Sequence, residues 1–302
     1  MERHSYLLKQ YGQAVQFLPP RLRAHAMSVD DKTKIAAREF RLRSGEMPTI
    51  LTADLEIPFG SDTRVRHEEL SAVVDISTGG SVHSSSEQIR AGYLTVSGGH
   101  RVGLCGTGVY KNAEVSFIKN ISSVAIRIAK EFIGVSNNVY NELIKNDGYK
   151  NTIIISPPGC GKTTMLRDLI RNLSDGSFGY RVSVADERSE IAGKYRGHSQ
   201  FNLGSHTDVM EGMPKAVATM MLLKSMSPDI LAVDEITELA DVDAIEATAN
   251  CGVNLLGTAH GNGVESLLCR PIYRRLMDSN IFKYAVLLDL KEGHYTARVE
   301  TL

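Results

Sequence analysis

Read as a pattern of apolar and polar positions, the chain changes rhythm near its middle. Residues 1 to about 35 carry helical spacing, interrupted by Pro19-Pro20 and resumed in RLRAHAM. Strand-like runs follow at EFRLRSG (39–45), PTILTADLEI (48–57) and YLTVSGGHRVGLCG (93–106), with a helix expected at SEQIRAGY (86–93). SSVAIRIAKEF (122–132) alternates and puts Val124, Ile126 and Ile128 on one face of a strand. The polar stretch 136–151 then joins this half to the next, which sets the expected domains at 1–140 and 141–302.

Beyond residue 151, short apolar runs (TIIIS, RVSVAD, DILAVD, VNLLGT) alternate with helical patterns (KTTMLRDLIRNL, PKAVATMMLLKSM, DVDAIEATANC). Strands alternating with helices imply a parallel sheet covered on both faces. KYAVLLDL and YTARVE flank KEGH and read as a closing hairpin. The expected class is α/β: a smaller α/β N-terminal domain, then a C-terminal domain with a parallel-dominated sheet. The chain shows no internal repeat and no low-complexity segment.

Composition adds exclusions. A chain of 302 residues suffices for two cores. A hydrophobic content of 42% with 23% charged residues is that of an ordinary globular protein. The formal charge of -1 gives no global attraction to nucleic acid or anionic lipid. Cys105, Cys160, Cys251 and Cys269 form no C-x-x-C and no metal-ligand spacing, so reduced thiols in a cytoplasmic compartment are expected. No apolar run approaches the ~20 residues that span a bilayer, and the N-terminus has no signal-peptide core. A membrane connection would therefore run through a partner.

The stretch SPPGCGKTTMLRDLI (156–170) matches the phosphate-binding loop G-x-x-x-x-G-K-[ST] except that Ser156 replaces the first glycine. Pro158, Gly159, Cys160, Gly161, Lys162, Thr163 and Thr164 would surround the phosphates. Gly159 and Gly161 leave backbone N–H groups bare, and the following helix adds the positive end of its dipole. Lys162 would reach the β- and γ-phosphates, and Thr163 would place its hydroxyl on Mg²⁺. Ser156 can stand for glycine if its φ is negative. The competing reading is a glycine turn before an amphipathic helix; the strand before the loop and the helix after it favour a nucleotide site, with ATP the expected nucleotide.

Three further strand ends carry chemistry. ILAVDE (230–235) ends in Asp234, placed for the Mg²⁺ water shell, and Glu235, placed to orient or deprotonate water. An acidic turn capping the next helix is the alternative. VADERSE (184–190) offers Asp186, Glu187 and Glu190 around Arg188, or else a solvated turn. GTAHG (257–261) brings Thr258 and His260, a γ-phosphate sensor or a packed histidine. In an open α/β sheet these C-terminal strand ends converge on the ligand.

The phosphate loop, VADERSEIAG, KSMSPDILAVDEI and LLGTAHG together resemble the secretion-type hexameric ATPases, which are RecA-like with an additional strand. With GYLTVSGGHRVGLCG and SSVAIRI in the first half, the chain is similar to the stage III sporulation protein AA family from about residue 36 onward. The resemblance implies a ring-forming ATPase, hexameric, in the mother cell of endospore-forming bacteria. There it would power or assemble a secretion-like channel with membrane proteins as partners. It implies catalytic roles for Glu235, for Glu187 and Glu190 of an acidic box, for His260 and for Lys162. Two departures stand out: Asp234 replaces the glycine usual before the glutamate, and the histidine box is confined to TAHG.

In a ring, a neighbour's arginine can neutralise the transition state. Arg188, Arg196, Arg101 and Arg127 are candidates, with Arg127 preferred as the nucleotide contact from the first domain. SGGHRVG reads as a tight turn displaying His100 and Arg101, and the methionines of TMMLLKSM as helix core. Two other functions compete with the secretion-type ATPase. One is a nucleic-acid-associated ATPase, for which the chain offers no basic-aromatic platform. The other is a regulatory nucleotide-binding protein with very slow turnover.

Overall fold

The computed structural model describes residues 2–81, 86–111, 114–145, 148–291 and 294–302. It forms two compact units, Met1–Lys130 with Gly193–Gln200, and Glu131–Ala192 with Phe201–Leu302. The divide falls ten residues before the expected boundary at 140, and the reason is local. Asp168, on a helix of the second unit, accepts hydrogen bonds from the Gly134 and Ser136 amides at 3.0 and 2.7 Å and fixes that stretch.

The first unit starts with three helices, α1 (Glu2–Val15), α2 (Pro20–Met27) and α3 (Asp31–Ala36), broken at Pro19-Pro20 as the pattern implies. Three short strands follow, β1 (Glu39–Arg43), β2 (Thr49–Leu51) and β3 (Glu56–Pro58), so the 48–57 run is a hairpin. After helices α4 (His67–Thr78) and α5 (Ser86–Arg90) come β4 (Tyr93–Thr95), β5 (Arg101–Lys111) and β6 (Glu114–Arg127). The sheet order is β3-β2-β1-β6-β5-β4, with every neighbouring pair antiparallel. Alternation decides its faces. Phe40, Leu42, Val102, Val124 and Ile126 join one core with Tyr11 and Leu22 of the helices.

The turn between β4 and β5 corrects the reading of SGGHRVG. His100 is fully buried; its Nδ1 accepts the Ala129 amide at 3.0 Å. A Cβ on Gly98 (φ 82°) would come within 2.8 Å of His100 Nε2, so the glycine is required by packing. Arg101 lies over the Tyr93 ring, 3.7 Å from its centroid. Burial pushes the His100 imidazole down to about 4. The unfolded chain thus binds a proton that the native one refuses. Stability from this site is present above the unfolded value near 6.5 and is lost as pH falls toward 4, by roughly 3 kcal/mol in all. Melting temperatures from pH 7 to pH 4.5 should fall more steeply for the wild type than for His100→Gln. Parallel curves would show that the site does not titrate this way.

The second unit runs through α6 (Asn137–Leu143), β7 (Thr152–Ser156), α7 (Lys162–Asp175), β8 (Val182–Asp186), β9 (Thr207–Glu211), α8 (Lys215–Ser225) and β10 (Ile230–Val233). It continues with α9 (Leu239–Asn250), β11 (Asn254–His260), α10 (Val264–Leu268), α11 (Pro271–Asp278), β12 (Tyr284–Lys291) and β13 (His294–Thr301). The sheet order is β13-β12-β7-β11-β10-β8-β9, parallel except for the closing β12–β13 hairpin. Residues 292 and 293 of the expected KEGH turn lie outside the described residues. Strands β7, β8 and β10 are buried along their whole length. Ile154 belongs to the core on one face while Ile153 and Ile155 belong to the core on the other. On α8, Ala218 and Leu222 face the core, whereas Met221 and Met226 are 46% and 40% exposed, which corrects their expected place in it.

Candidate active site

Strand β11 lies between β7 and β10, so the loops after all three strands open at the same sheet edge. Ser156 ends β7 without a positive φ and is buried, so serine fits where the motif has glycine. Gly159 and Gly161 take φ of 77° and 84°, the left-handed turn that aims successive N–H groups one way. A Cβ on Gly159 would meet no atom within 4 Å, so the space beside that residue is open. Helix α7 follows at once, held by buried Met165, Leu166, Leu169, Ile170 and Leu173.

The side chains behind the loop form a continuous polar line. The Lys162 ammonium donates to His260 Nδ1 at 2.8 Å, and His260 Nε2 pairs closely with Glu235 Oε1. An ammonium only donates and a carboxylate only accepts, so in this line Nδ1 is the acceptor facing Lys162 and Nε2 the donor facing Glu235. Glu235 Oε2 lies 3.6 Å from Arg188 Nη1. Beside this line, Thr163 Oγ1 donates to Asp234 Oδ2 at 3.2 Å and Thr258 Oγ1 donates to Asp234 Oδ1 at 2.6 Å. The Glu235 amide donates to Thr258 Oγ1 at 2.8 Å. Glu235 itself sits at φ 50°, which a non-glycine residue keeps only when its surroundings enforce it.

Burial shapes the electrostatics. It lowers the Lys162 ammonium from its ordinary value, against the pull of Asp234 and Glu235. It raises the Asp234 carboxyl, relieved by Thr258 and reinforced by the nearby charge of Glu190. Asp186 is pushed up to about 6, again by burial first. A cation added among these carboxylates would relieve the strain. Among the described residues no cluster of three metal-ligating side chains exists. A hydroxyl plus one carboxylate suits Mg²⁺, which keeps waters and takes substrate phosphates as ligands.

A family model described as Sporulation stage III, protein AA matches residues 10–299. The chain belongs to that family. Stage III sporulation protein AA of Bacillus subtilis (strain 168) is 39% identical over 216 residues, covering 70% of either chain. The fold of this sporulation family member is shared with solved structures of an ATPase and a pilus motor. The ATPase DotB of Legionella pneumophila superposes with a TM-score of 0.55 at 16% identity, over 90% of this chain and 79% of that one. The pilus retraction motor PilT with bound ADP gives 0.59 at 17% identity, over 88% and 79%. At such identities the likeness is one of fold, RecA-like, with β11 lying between β7 and β10 in the second sheet.

The other expected residues of this sporulation family member separate. Pro158, Cys160 and Thr164 lie along the loop and the first turn of α7, as the motif requires. Glu187 turns to Lys215 at 3.0 Å. Glu190 takes part through its backbone: its amide donates to Asp186 Oδ1 at 2.8 Å and its carbonyl accepts from Arg167 at 2.7 Å. Asp186 also receives the Ile191 and Ala192 amides at 3.0 and 2.9 Å, so it braces the acidic turn. Arg127 ends β6 in the first unit, opposite Glu39 and Arg101 in register. Arg196 belongs to the 193–200 segment of that unit. Two neighbours carried no motif. Exposed Tyr295 lies 3.7 Å from where a Gly161 Cβ would stand, and Arg270 Nη1 donates to the His260 carbonyl at 3.1 Å.

Proposed function

We propose that this chain hydrolyses ATP in a Mg²⁺-dependent reaction, as one subunit of a hexameric ring. The ring would power or assemble a secretion-like channel complex during endospore formation. The observation that carries the reading is the Lys162–His260–Glu235 line beside the Thr163–Asp234 pair, all at the mouth of a glycine loop. The open cradle at Gly159 fits phosphate. Thr163 and Asp234 would hold Mg²⁺, which supplies positive charge against the phosphates.

The residues divide the work. Loop amides and Lys162 bind the phosphate oxygens, and moving the ammonium onto phosphate takes it off His260. Glu235 then orients the attacking water and receives its proton, with His260 Nε2–H steadying the carboxylate. Glu190 adds negative charge near Asp234 that keeps the acidic turn attractive to a cation. Arg127 is the arginine proposed to meet a nucleotide in the ring. No helix among the described residues is long and apolar enough to cross a membrane. Attachment through membrane proteins, on the mother-cell side, suits that finding.

Phosphate release per subunit, measured over a wide range of protein concentration, tests the ring. A specific rate that climbs with concentration is expected if neighbouring subunits complete each site. A rate constant at every dilution, with monomer by sizing, would overturn the shared site. Absence of release throughout would overturn hydrolysis.

A further inference from the structure

Lys215 opens α8 and is only 9% exposed, yet it takes no part in the phosphate site. Its Nζ donates to Glu187 Oε2 at 3.0 Å and to Thr237 Oγ1 at 3.4 Å, and it lies 3.6 Å from Asp241 Oδ2. The three partners come from different pieces of chain. Glu187 follows β8, Thr237 lies on the loop after β10 that carries Asp234 and Glu235, and Asp241 is in the first turn of α9. A buried ammonium ringed by two carboxylates and a hydroxyl is a compensated charge, and such a charge fixes whatever supplies the compensation.

We infer that Lys215 is a positioning residue for Glu235, and that Glu187 acts through Lys215 rather than on the substrate. The inference rests on the hydrolase reading above. Glu235 holds its left-handed backbone because both sides of it are pinned. Upstream, the Asp234 carboxylate accepts from the Thr163 and Thr258 hydroxyls at 3.2 and 2.6 Å; at the turn itself the Glu235 amide donates to Thr258 Oγ1 and the Ile236 amide to the Thr258 carbonyl at 2.8 and 3.1 Å. The Ile236 carbonyl is capped by the Tyr273 hydroxyl. Downstream, the Thr237 and Glu238 amides donate to Asp241 Oδ2 at 2.9 and 3.0 Å. That oxygen is the one facing Lys215.

Removing the ammonium leaves the Asp241 carboxylate, with a 7% exposed side chain, opposed only by amides. It also frees Glu187, with a 41% exposed side chain, to turn into water. The loop loses its downstream anchor, and Glu235 can relax away from His260. Lys215, Glu187, Thr237 and Asp241 make these hydrogen bonds and ion pairs away from the glycine loop, so nucleotide affinity is spared.

The test compares Lys215→Met, Glu187→Gln and the double variant, reading kcat and KM for ATP with Mg²⁺ alongside affinity for a fluorescent ADP analogue. Lys215→Met should lower kcat roughly 10- to 100-fold, the scale of a slight misplacement of a reacting group. The ADP analogue should bind within about twofold of wild type, because the phosphate contacts remain. Glu187→Gln should cost less, and nothing further once Lys215 is gone. Wild-type kcat in Lys215→Met would overturn the inference. So would effects of the two changes that multiply, which would give Glu187 its own role on the substrate. A loss of ADP affinity in step with kcat would make Lys215 a part of the fold alone. No turnover in the wild type would overturn the hydrolase reading, and this inference with it.

Discussion

Lys162→Ala should abolish ATP turnover and weaken ADP binding by roughly 100-fold without lowering the melting temperature. In the proposed site the ammonium would supply charge-assisted hydrogen bonds to phosphate, whose loss costs about 3 kcal/mol, which is roughly two decades of affinity. The stability half of the expectation follows from burial. The folded chain lowers the Lys162 ammonium from its ordinary value because desolvation outweighs Asp234 and Glu235. Without nucleotide the charge is therefore held at a cost, and alanine removes that cost together with the His260 contact. Titration calorimetry with ADP, beside a melting curve, checks both halves. A variant that binds ADP normally but melts several degrees lower would make Lys162 a structural residue.

Glu235→Gln should reduce turnover by about 10²- to 10⁴-fold, the range of a lost general base, while ADP affinity stays near the wild-type value. Glutamine keeps the shape and can still meet His260, but it cannot take a proton from water. Its carboxylate partners change in different ways: His260 Nε2–H finds an amide oxygen, and Arg188 loses a charge 3.6 Å away. Single-turnover phosphate release with saturating ATP separates the chemical step from binding. Unchanged turnover would support a nucleotide-binding protein in which this acid only shapes the loop.

Much of this architecture is legible because burial on both faces leaves strands such as TIIIS and ILAV apolar throughout. Strand β9 (TDVME) was not legible. It is an edge strand with one partner, and only half-buried, so its sequence carries no period. Helices α10 and α11 are short, and their buried residues, Leu267, Tyr273 and Leu276, are too few to stand out. In the site, Lys162, Thr163, Asp234 and His260 announced themselves by position at strand ends, and the fold brings them together. Asp186 did not announce its main contacts, because bracing three amides looks the same in sequence as waiting for a cation. In sequence Lys215 is one charge within the helical pattern PKAVATMMLLKSM. Only the meeting of α8 with two distant loops makes it a buried tie. His100 differs for a related reason: a turn with two glycines looks like a display, and here Gly98 makes room for an inward ring.

The segment Gly193–Gln200 folds with the first unit although its flanks belong to the second. The chain therefore crosses between units three times, and no single cut yields two whole halves. A fragment ending at Lys130 would lack Gln200, whose side-chain oxygen accepts the Gly98 amide at 2.9 Å beside buried His100. A fragment beginning at Glu131 would carry 193–200 as a loop with nothing of its own to fold against. The acidic turn at Asp186–Ala192 runs straight into that segment, so the bracing of the site and the closing of the first unit share one stretch of backbone. Shuffling either unit into another protein would require moving two pieces of sequence together, which ties their inheritance as well as their folding.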